Sequence, residues 1–308
     1  MKKLFVVFSV LLPMLAVVSC KKEGVYSPDK KISEIHIEAT VTERDATGAD
    51  TTYNIAKYKA QEWTWEGNLL TAVTSFDQTG ARTAKQLLTY DGKKLVKVAD
   101  ESGKYYTQYG YKNGKLTTIA TVSDGTSLMN ADVIHDGGKI SKLKFAIDLS
   151  DFNLDDFNFA KKSLGYVMPE KLACVLFSSS MAKSKAGQPI EVVVNLTYVD
   201  DNVTKMTVSY SGLTAITVNC TYDKKHNPKY GNYADIGPSA LSKNNICEIS
   251  VSGLGASAAG GMIPQNQVCA YTYTDDDYPA TMTTSTVETL ENSATRTTRE
   301  TDTYVYGD

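Results

Sequence analysis

Three histidines, His36, His135 and His226, are the first residues to weigh for metal or acid–base chemistry, and their spacing supports neither. They lie far apart, and none has a cysteine, aspartate or histidine partner at the short intervals that zinc sites use. His135 fills a slot that tyrosine occupies elsewhere in a repeated pattern, so it reads as structural. No zincin motif, nucleophile elbow or P-loop is present. Gly253-Leu-Gly255-Ala-Ser-Ala258 matches the dinucleotide fingerprint, which works only where a helix N-terminus receives the pyrophosphate. Gly260, Gly261 and Pro264 rule out a helix of useful length, so the stretch is expected to be a loop. Acidic clusters at Asp148, Asp151, Asp155, Asp156 and at Asp275-Asp276-Asp277 supply oxygens without the spacing of an EF-hand, and read as solvated turns. No catalytic residue, metal or cofactor is expected.

Binding chemistry has more to work with. The chain carries nineteen tyrosines, and Trp63/Trp65, Tyr109/Tyr111, Tyr271/Tyr273 and Tyr304/Tyr306 each stand two apart, on one face of a strand. Aromatics so placed either pack an antiparallel sheet or present a ladder to sugar rings or a protein partner. Tyr109, Tyr111, Tyr271 and Tyr273 are the candidate ligand-binding residues. Cys174, Cys220, Cys247 and Cys269 allow three disulfide connectivities. Cys247 and Cys269 are equidistant from the Ser257-Ala258 loop centre, so a simple hairpin would bring them together. Four free thiols buried in strands is the equal alternative.

The elements that position these residues follow from a five-residue spacing. An aromatic or His precedes an aliphatic residue by five at Trp65/Leu70, Tyr90/Leu95, Tyr111/Leu116, His135/Ile140 and Tyr198/Val203. In a hairpin with a two-residue loop, residues i and i+5 face each other across the strands. Asn113-Gly114 is a strong type I′ signal; Gly67-Asn68, Gly92-Lys93 and Gly137-Gly138 supply glycine, whereas Asp200-Asp201 does not. Turns recur every ten to thirteen residues over 57–149, which argues an up-and-down antiparallel meander. Further strands are expected at 32–41, from 191, and at 246–254, 266–274, 278–288 and 298–306. Two segments break the rhythm: about 150–190, where Pro169 and the leucines after it predict one short helical insertion, and a long connection at about 223–245. The predicted fold is all-β, a single domain over 32–308 forming a soluble barrel-like or strongly curled sheet. Strand 81–91 has no face that lipid would tolerate, since Thr83, Lys85 and Thr89 alternate with Arg82 and Gln86.

At the other end of the chain, Lys2-Lys3 precedes an apolar run from Leu4 to Val18, too short and interrupted for a membrane span but suited to a signal peptide over 1–19. The run ends at Val17-Val18-Ser19-Cys20, which resembles the lipobox of bacterial lipoproteins. That resemblance implies an acylated Cys20 carrying three chains, a permanent anchor in the bilayer. Residues 20–31 then form a lipidated tether. Lys21 is not the acidic residue associated with inner-membrane retention, so the outer membrane is expected. Losing residues 1–19 takes the formal net charge from −3 to about −5, which argues against nucleic acid as a partner.

The repeated Tyr-turn-Lys-Leu hairpins are followed by Tyr222-Asp223-Lys224-Lys225-His226-Asn227-Pro228 and Ser242-Lys243-Asn244-Asn245. Together they resemble a family of Bacteroidetes lipoproteins carrying a domain of unknown function described as porin-like in fold. The resemblance spans most of 32–308 and brings no catalytic residues with it. The expectation is a lipid-anchored, noncatalytic binding module for a glycan or protein ligand. The alternative is a structural or accessory lipoprotein assembling with an outer-membrane complex.

Overall fold

In the computed structural model, the described residues are 23–147, 190–210, 213–253, 266–289 and 294–307. They form sixteen antiparallel strands closed into a barrel, each paired with its neighbours in sequence. The strands are β1 (Lys31–Arg44), β2 (Asp50–Glu66), β3 (Leu69–Phe76), β4 (Arg82–Asp91), β5 (Lys94–Asp100), β6 (Tyr105–Lys112), β7 (Lys115–Ser123) and β8 (Thr126–Asp136). The second half continues with β9 (Lys139–Ile147), β10 (Ile190–Val199), β11 (Asn202–Tyr210), β12 (Leu213–Tyr222), β13 (Ile246–Ser252), β14 (Asn266–Tyr273), β15 (Pro279–Thr289) and β16 (Thr295–Gly307). Pairing of β1 with β16, from Lys31↔Gly307 to Arg44↔Thr295, closes the ring. The meander is therefore as expected, and the choice between curled sheet and barrel falls to the barrel.

Each of the five hairpins has the same internal design. Trp65↔Leu70, Tyr90↔Leu95, Tyr111↔Leu116, His135↔Ile140 and Tyr198↔Val203 stand directly opposite each other. Immediately after the aliphatic partner the register skips one residue, a bulge that bends the strand and increases its twist. In four of the five the skipped residue is Thr71, Thr117, Ser141 or Thr204, whose hydroxyl donates to the carbonyl just before the aromatic at 3.1–3.4 Å. The hydroxyl thus binds a carbonyl beside the break in the ladder. In the fifth, Val96 takes the place. Asp200-Asp201, the turn without glycine, still adopts φ of 49° and 66°.

The two faces of the wall differ in kind. Outward positions form rows such as Thr272–Thr281–Thr303–His36 and Thr118–Asp132–Lys144. Thr272 and Thr281 share a hydrogen bond at 2.7 Å, as do Thr283 and Thr301 at 2.9 Å. A membrane barrel needs an apolar outward band, and rows of threonine, aspartate and lysine cannot supply one. Most large apolar side chains point inward instead: Leu70, Leu116, Leu143, Phe145, Val194, Met206 and Ile216 are almost fully buried, while Leu87, Ile134, Val268, Val287 and Val305 are scattered among the exposed residues.

Side chains alone fill a barrel of about eight strands; at sixteen a channel remains. Here the end carrying the tight turns, the near end, is filled by two further segments. Residues 223–245 fold inward around a single helical turn, α1 (Pro238–Leu241), and bury Ile236, Ala240 and Leu241. Residues 23–30, expected as a free tether, are part of the same plug. Tyr26 is 3% exposed, lies 5.6 Å from the Trp65 ring and donates to the Pro228 carbonyl at 2.6 Å. The Gly24 carbonyl accepts from Leu95 N at 2.8 Å, and at φ +75° a Cβ on Gly24 would collide with the Tyr111 hydroxyl. The helix predicted from Pro169 lies outside the described residues.

Asn113 and Gly114 sit at φ 52° and 81°, the pair of positive values that a type I′ turn requires. Replacing both with valine is expected to cost on the order of 1–3 kcal/mol, read as a lower denaturation midpoint. An unchanged midpoint would show that the turn tolerates β-branched residues and contributes nothing to register.

Candidate functional site

The aromatic residues form a belt around the near end, and its chemistry is internal. Each ring leans from its own hairpin onto the one before and donates a hydrogen bond to the carbonyl there. Trp65 Nε1 reaches Ile32 O (2.7 Å), Tyr90 reaches Leu70 O (2.8 Å), Tyr111 reaches Leu95 O (2.8 Å) and Tyr222 reaches Val203 O (2.6 Å). Tyr271 reaches Ile246 O (2.9 Å) and Tyr306 reaches Pro279 O (2.8 Å). Burial raises the phenols, Tyr90 to about 12 and the others further, so each remains a donor at any physiological pH. At His135 the pattern changes. Its Nε2 lies 2.9 Å from Glu23 Oε1, and Glu23 Oε2 accepts from Leu116 N at 2.7 Å. A carboxylate from the plug thus bridges the imidazole to the backbone that a tyrosine would reach directly.

These contacts decide where the candidate ligand residues stand. Tyr109 is 5% exposed in the core, and Tyr111 is committed to Leu95 and the plug. Tyr271 and Tyr273 stack with ring centroids 5.9 Å apart, and the Tyr273 hydroxyl donates to the Asp223 carboxylate. The four are structural members of the wall rather than an exposed ladder. Cys247 and Cys269 are free thiols, as is Cys220. Cys247 is the residue skipped by the bulge between β12 and β13, and its Sγ lies 3.9 Å from Asn245 O. Burial raises Cys220 and Cys269 to about 11, so neither is a nucleophile near neutral pH. Cys20, Cys174, the cluster from Asp148 to Asp156 and the stretch after Gly253 lie outside the described residues. In the second acidic cluster, Asp276 pairs with Lys30 at 2.6 Å and Asp277 with Lys225 at 2.6 Å, which gives these carboxylates lysine partners.

The Tyr-Asp…Asn-Pro and Ser-Lys-Asn-Asn pieces meet and explain each other. Asp223 accepts from the backbone of Lys225 and Asn245 and from Asn245 Nδ2. Asn227 Nδ2 donates to the carbonyls of Ser239 and Ser242, while Asn244 exchanges hydrogen bonds with Asn202. Ser242, fully buried, accepts from Val203 N and donates to the Tyr222 hydroxyl. A buried loop must satisfy its own backbone groups, and this clasp does so for the plug.

Space for a ligand lies elsewhere on the inner face. From β8 to β12 the inward side chains are apolar along most of their length. On the opposite wall they turn polar away from the near end: Thr284, Glu300 and Asp302 on β15 and β16, then Gln86, Asp100 and Thr107 on β4 to β6. A concavity of about 470 Å³ adjoins this wall, lined by Gln86, Val98, Asp100, Tyr105 and Thr107 among others. A second, of about 210 Å³, lies under the plug between Lys229, Gln267, Met282 and Tyr304. Thr121 Oγ1 and Asp302 Oδ1 are buried without a hydrogen-bond partner among the described residues. Among the described residues no group of three or more His, Cys, Asp or Glu could hold a metal ion.

No family model and no curated protein matches the chain. Among solved structures, the chain is similar to a porin-like protein from Bacteroides uniformis ATCC 8492, with 10% identity, 88% of this chain and 97% of that one covered, and a TM-score of 0.46.

Three inward carboxyls, Asp235, Glu300 and Asp302, are raised, in each case chiefly by burial, with Asp302 adding to Glu300 and Lys229 partly opposing the shift at the two aspartates. A carboxyl raised on folding binds protons more readily in the folded chain, so its ionisation weakens the fold as pH rises. Asp302→Asn is therefore expected to raise the melting temperature at pH 7. The gain should shrink as pH falls into the ordinary carboxylate range; a gain that is constant with pH would remove ionisation as its cause.

Proposed function

We propose that the chain is a lipid-anchored protein of the cell envelope, probing its surroundings through a noncatalytic binding site on the polar inner wall. The observation that carries this is the 470 Å³ concavity beside Tyr105. It falls within the size range of small-ligand sites and combines one aromatic face with an amide, a carboxylate and hydroxyls. That set suits a glycan, whose rings stack on tyrosine and whose hydroxyls pair with Gln86, Asp100 and Thr107. The candidate site moves accordingly from Tyr109, Tyr111, Tyr271 and Tyr273 to Tyr105. Its placement on strands of a closed barrel favours a rigid, preformed receptor.

The anchor rests on Cys20 at the end of the apolar run, three residues before the first plug residue. A barrel with a polar exterior needs such an anchor to stay at a membrane, and its location at the outer membrane rests on Lys21. Binding rather than catalysis is supported by the chemistry of the wall: its buried thiols are raised, and the buried Ser242–Tyr222 hydroxyl pair belongs to the clasp. Assembly with an outer-membrane complex is the second possibility, but closure leaves no strand edge for a partner to extend.

Two measurements test this. Cys20→Ser should convert the protein to a soluble or unprocessed form; a mature, processed variant that stays in the membrane pellet would show that Cys20 is not the anchor. Glycan screening of the mature chain should find a ligand whose affinity drops about tenfold or more in Tyr105→Ala, as loss of a stacked ring implies. Turnover of any glycan, or binding indifferent to that substitution, would refute the site.

A further inference from the structure

The near end of the barrel carries a charge arrangement that stability does not explain. In two of the tight hairpins the residues flanking the turn are oppositely charged, Asp91↔Lys94 and Asp136↔Lys139. Around Asn113-Gly114 they are Lys112↔Lys115, two like charges directly opposite, a pairing that destabilises a sheet. Both are exposed, and so is Lys93 on the neighbouring turn. Lys94 lies beside them with its ammonium 5.3 Å from the Tyr111 ring. Asp91 is the acidic residue between these turns, against four lysines.

This patch surrounds the place where the N-terminal segment enters the barrel. Gly24 is bonded to Leu95 and packed on Tyr111, and Glu23 is bonded to Leu116, so the segment is fixed between the same two hairpins. Only two residues, Lys21 and Lys22, separate Glu23 from Cys20. Fully extended, that span reaches about 10 Å. We infer that the sector of the near end around the 92–93 and 113–114 turns is a membrane-docking face, its Lys93, Lys94, Lys112 and Lys115 seated on the anionic head groups of the bilayer that holds the anchor, while the acidic turns at Asp200-Asp201 and Asp275 to Asp277 lie on other sectors of that end. The inference rests on the lipidation of Cys20 for its geometry and on the lysines for its chemistry. A short anchor holds these four ammonium groups within a Debye length of the surface, where each contributes roughly a fivefold gain in partition. The barrel then stands on its plugged end, with the 45–49, 77–81 and 101–104 turns directed away from the membrane.

The test separates the two supports. The mature chain without its lipid should bind phosphatidylcholine vesicles containing phosphatidylglycerol, and not pure phosphatidylcholine vesicles. Binding should fall about tenfold or more in the combined Lys93→Glu, Lys112→Glu and Lys115→Glu variant and in high salt. That variant keeps a like-charge pair across the turn, so its melting temperature should be unchanged and a loss of binding reports the surface. Equal binding to both vesicles, or no effect of charge reversal, overturns the docking face and leaves the anchor standing. With the lipidated protein in phosphatidylglycerol-containing vesicles, a fluorophore at Asn68 should be quenched by a head-group quencher about threefold or more above one at Gln78, at the far end of β3. Equal quenching at the two ends overturns the orientation. Failure of the native protein to float with pure phosphatidylcholine vesicles, which the lysines do not bind, would instead refute the lipid anchor.

Discussion

A ring of sixteen strands encloses more space than its own side chains can fill, and most of this structure answers that constraint. An empty apolar lumen would lose dispersion contacts along its whole lining, and a flooded one would forfeit the hydrophobic contribution of every inward leucine and valine. The protein inserts two stretches of its own chain instead. An irregular segment placed inside a barrel brings unpaired backbone groups with it, so the plug needs a dense polar clasp. Asp223, Asn227, Ser242, Asn244 and Asn245 provide it. The aromatic belt belongs to the same solution. A large ring bridges the gap between wall and plug, while its hydroxyl satisfies a carbonyl on the hairpin before.

The hairpins were legible because their information is local. An aromatic, two turn residues and an aliphatic at fixed spacing specify one cross-strand pair, and five such pairs stand where the spacing puts them. Closure was not legible, since Ile35 and Tyr304 meet across nearly the whole chain and nothing near either records the other. The direction of the tyrosines was equally hidden. Periodicity places Tyr109 and Tyr111 on one face but cannot say whether water or a plug lies beyond it. For the cysteines, loop symmetry brings Cys247 and Cys269 level and left bonded and free thiols as equal readings; the structure has both thiols free, with Cys247 skipped by a bulge that no local pattern marked. A serine or threonine after the aliphatic partner was the unread signal for the hairpin bulges.

The same inward-facing logic leaves an asymmetric interior. One wall is apolar because it meets the plug and its own neighbours. The other carries Glu300 and Asp302, carboxyls that burial raises and whose ionisation therefore weakens the fold, with Gln86 and Asp100 further round the same wall. The candidate site and the plug thus divide the lumen, the plug self-satisfied and the wall beyond it polar.

The pairing of β1 with β16 bears on how such a molecule comes into being. Every other strand can find its partner as soon as the next hairpin forms, but β1 must wait for the opposite end of the chain. The Tyr26–Pro228 bond that seats the plug is likewise between segments two hundred residues apart. Assembly is therefore late and all-or-none at the seam, with the loop-closure entropy of nearly the whole domain standing in the way. Until then β1 offers a fourteen-residue bare edge, and its outward row of Glu34, His36 and Glu38 gives that edge the charge that discourages intermolecular pairing. A protein exported N-terminus first would spend its whole passage in that unsealed state, so the seam is the feature on which its survival during biogenesis turns.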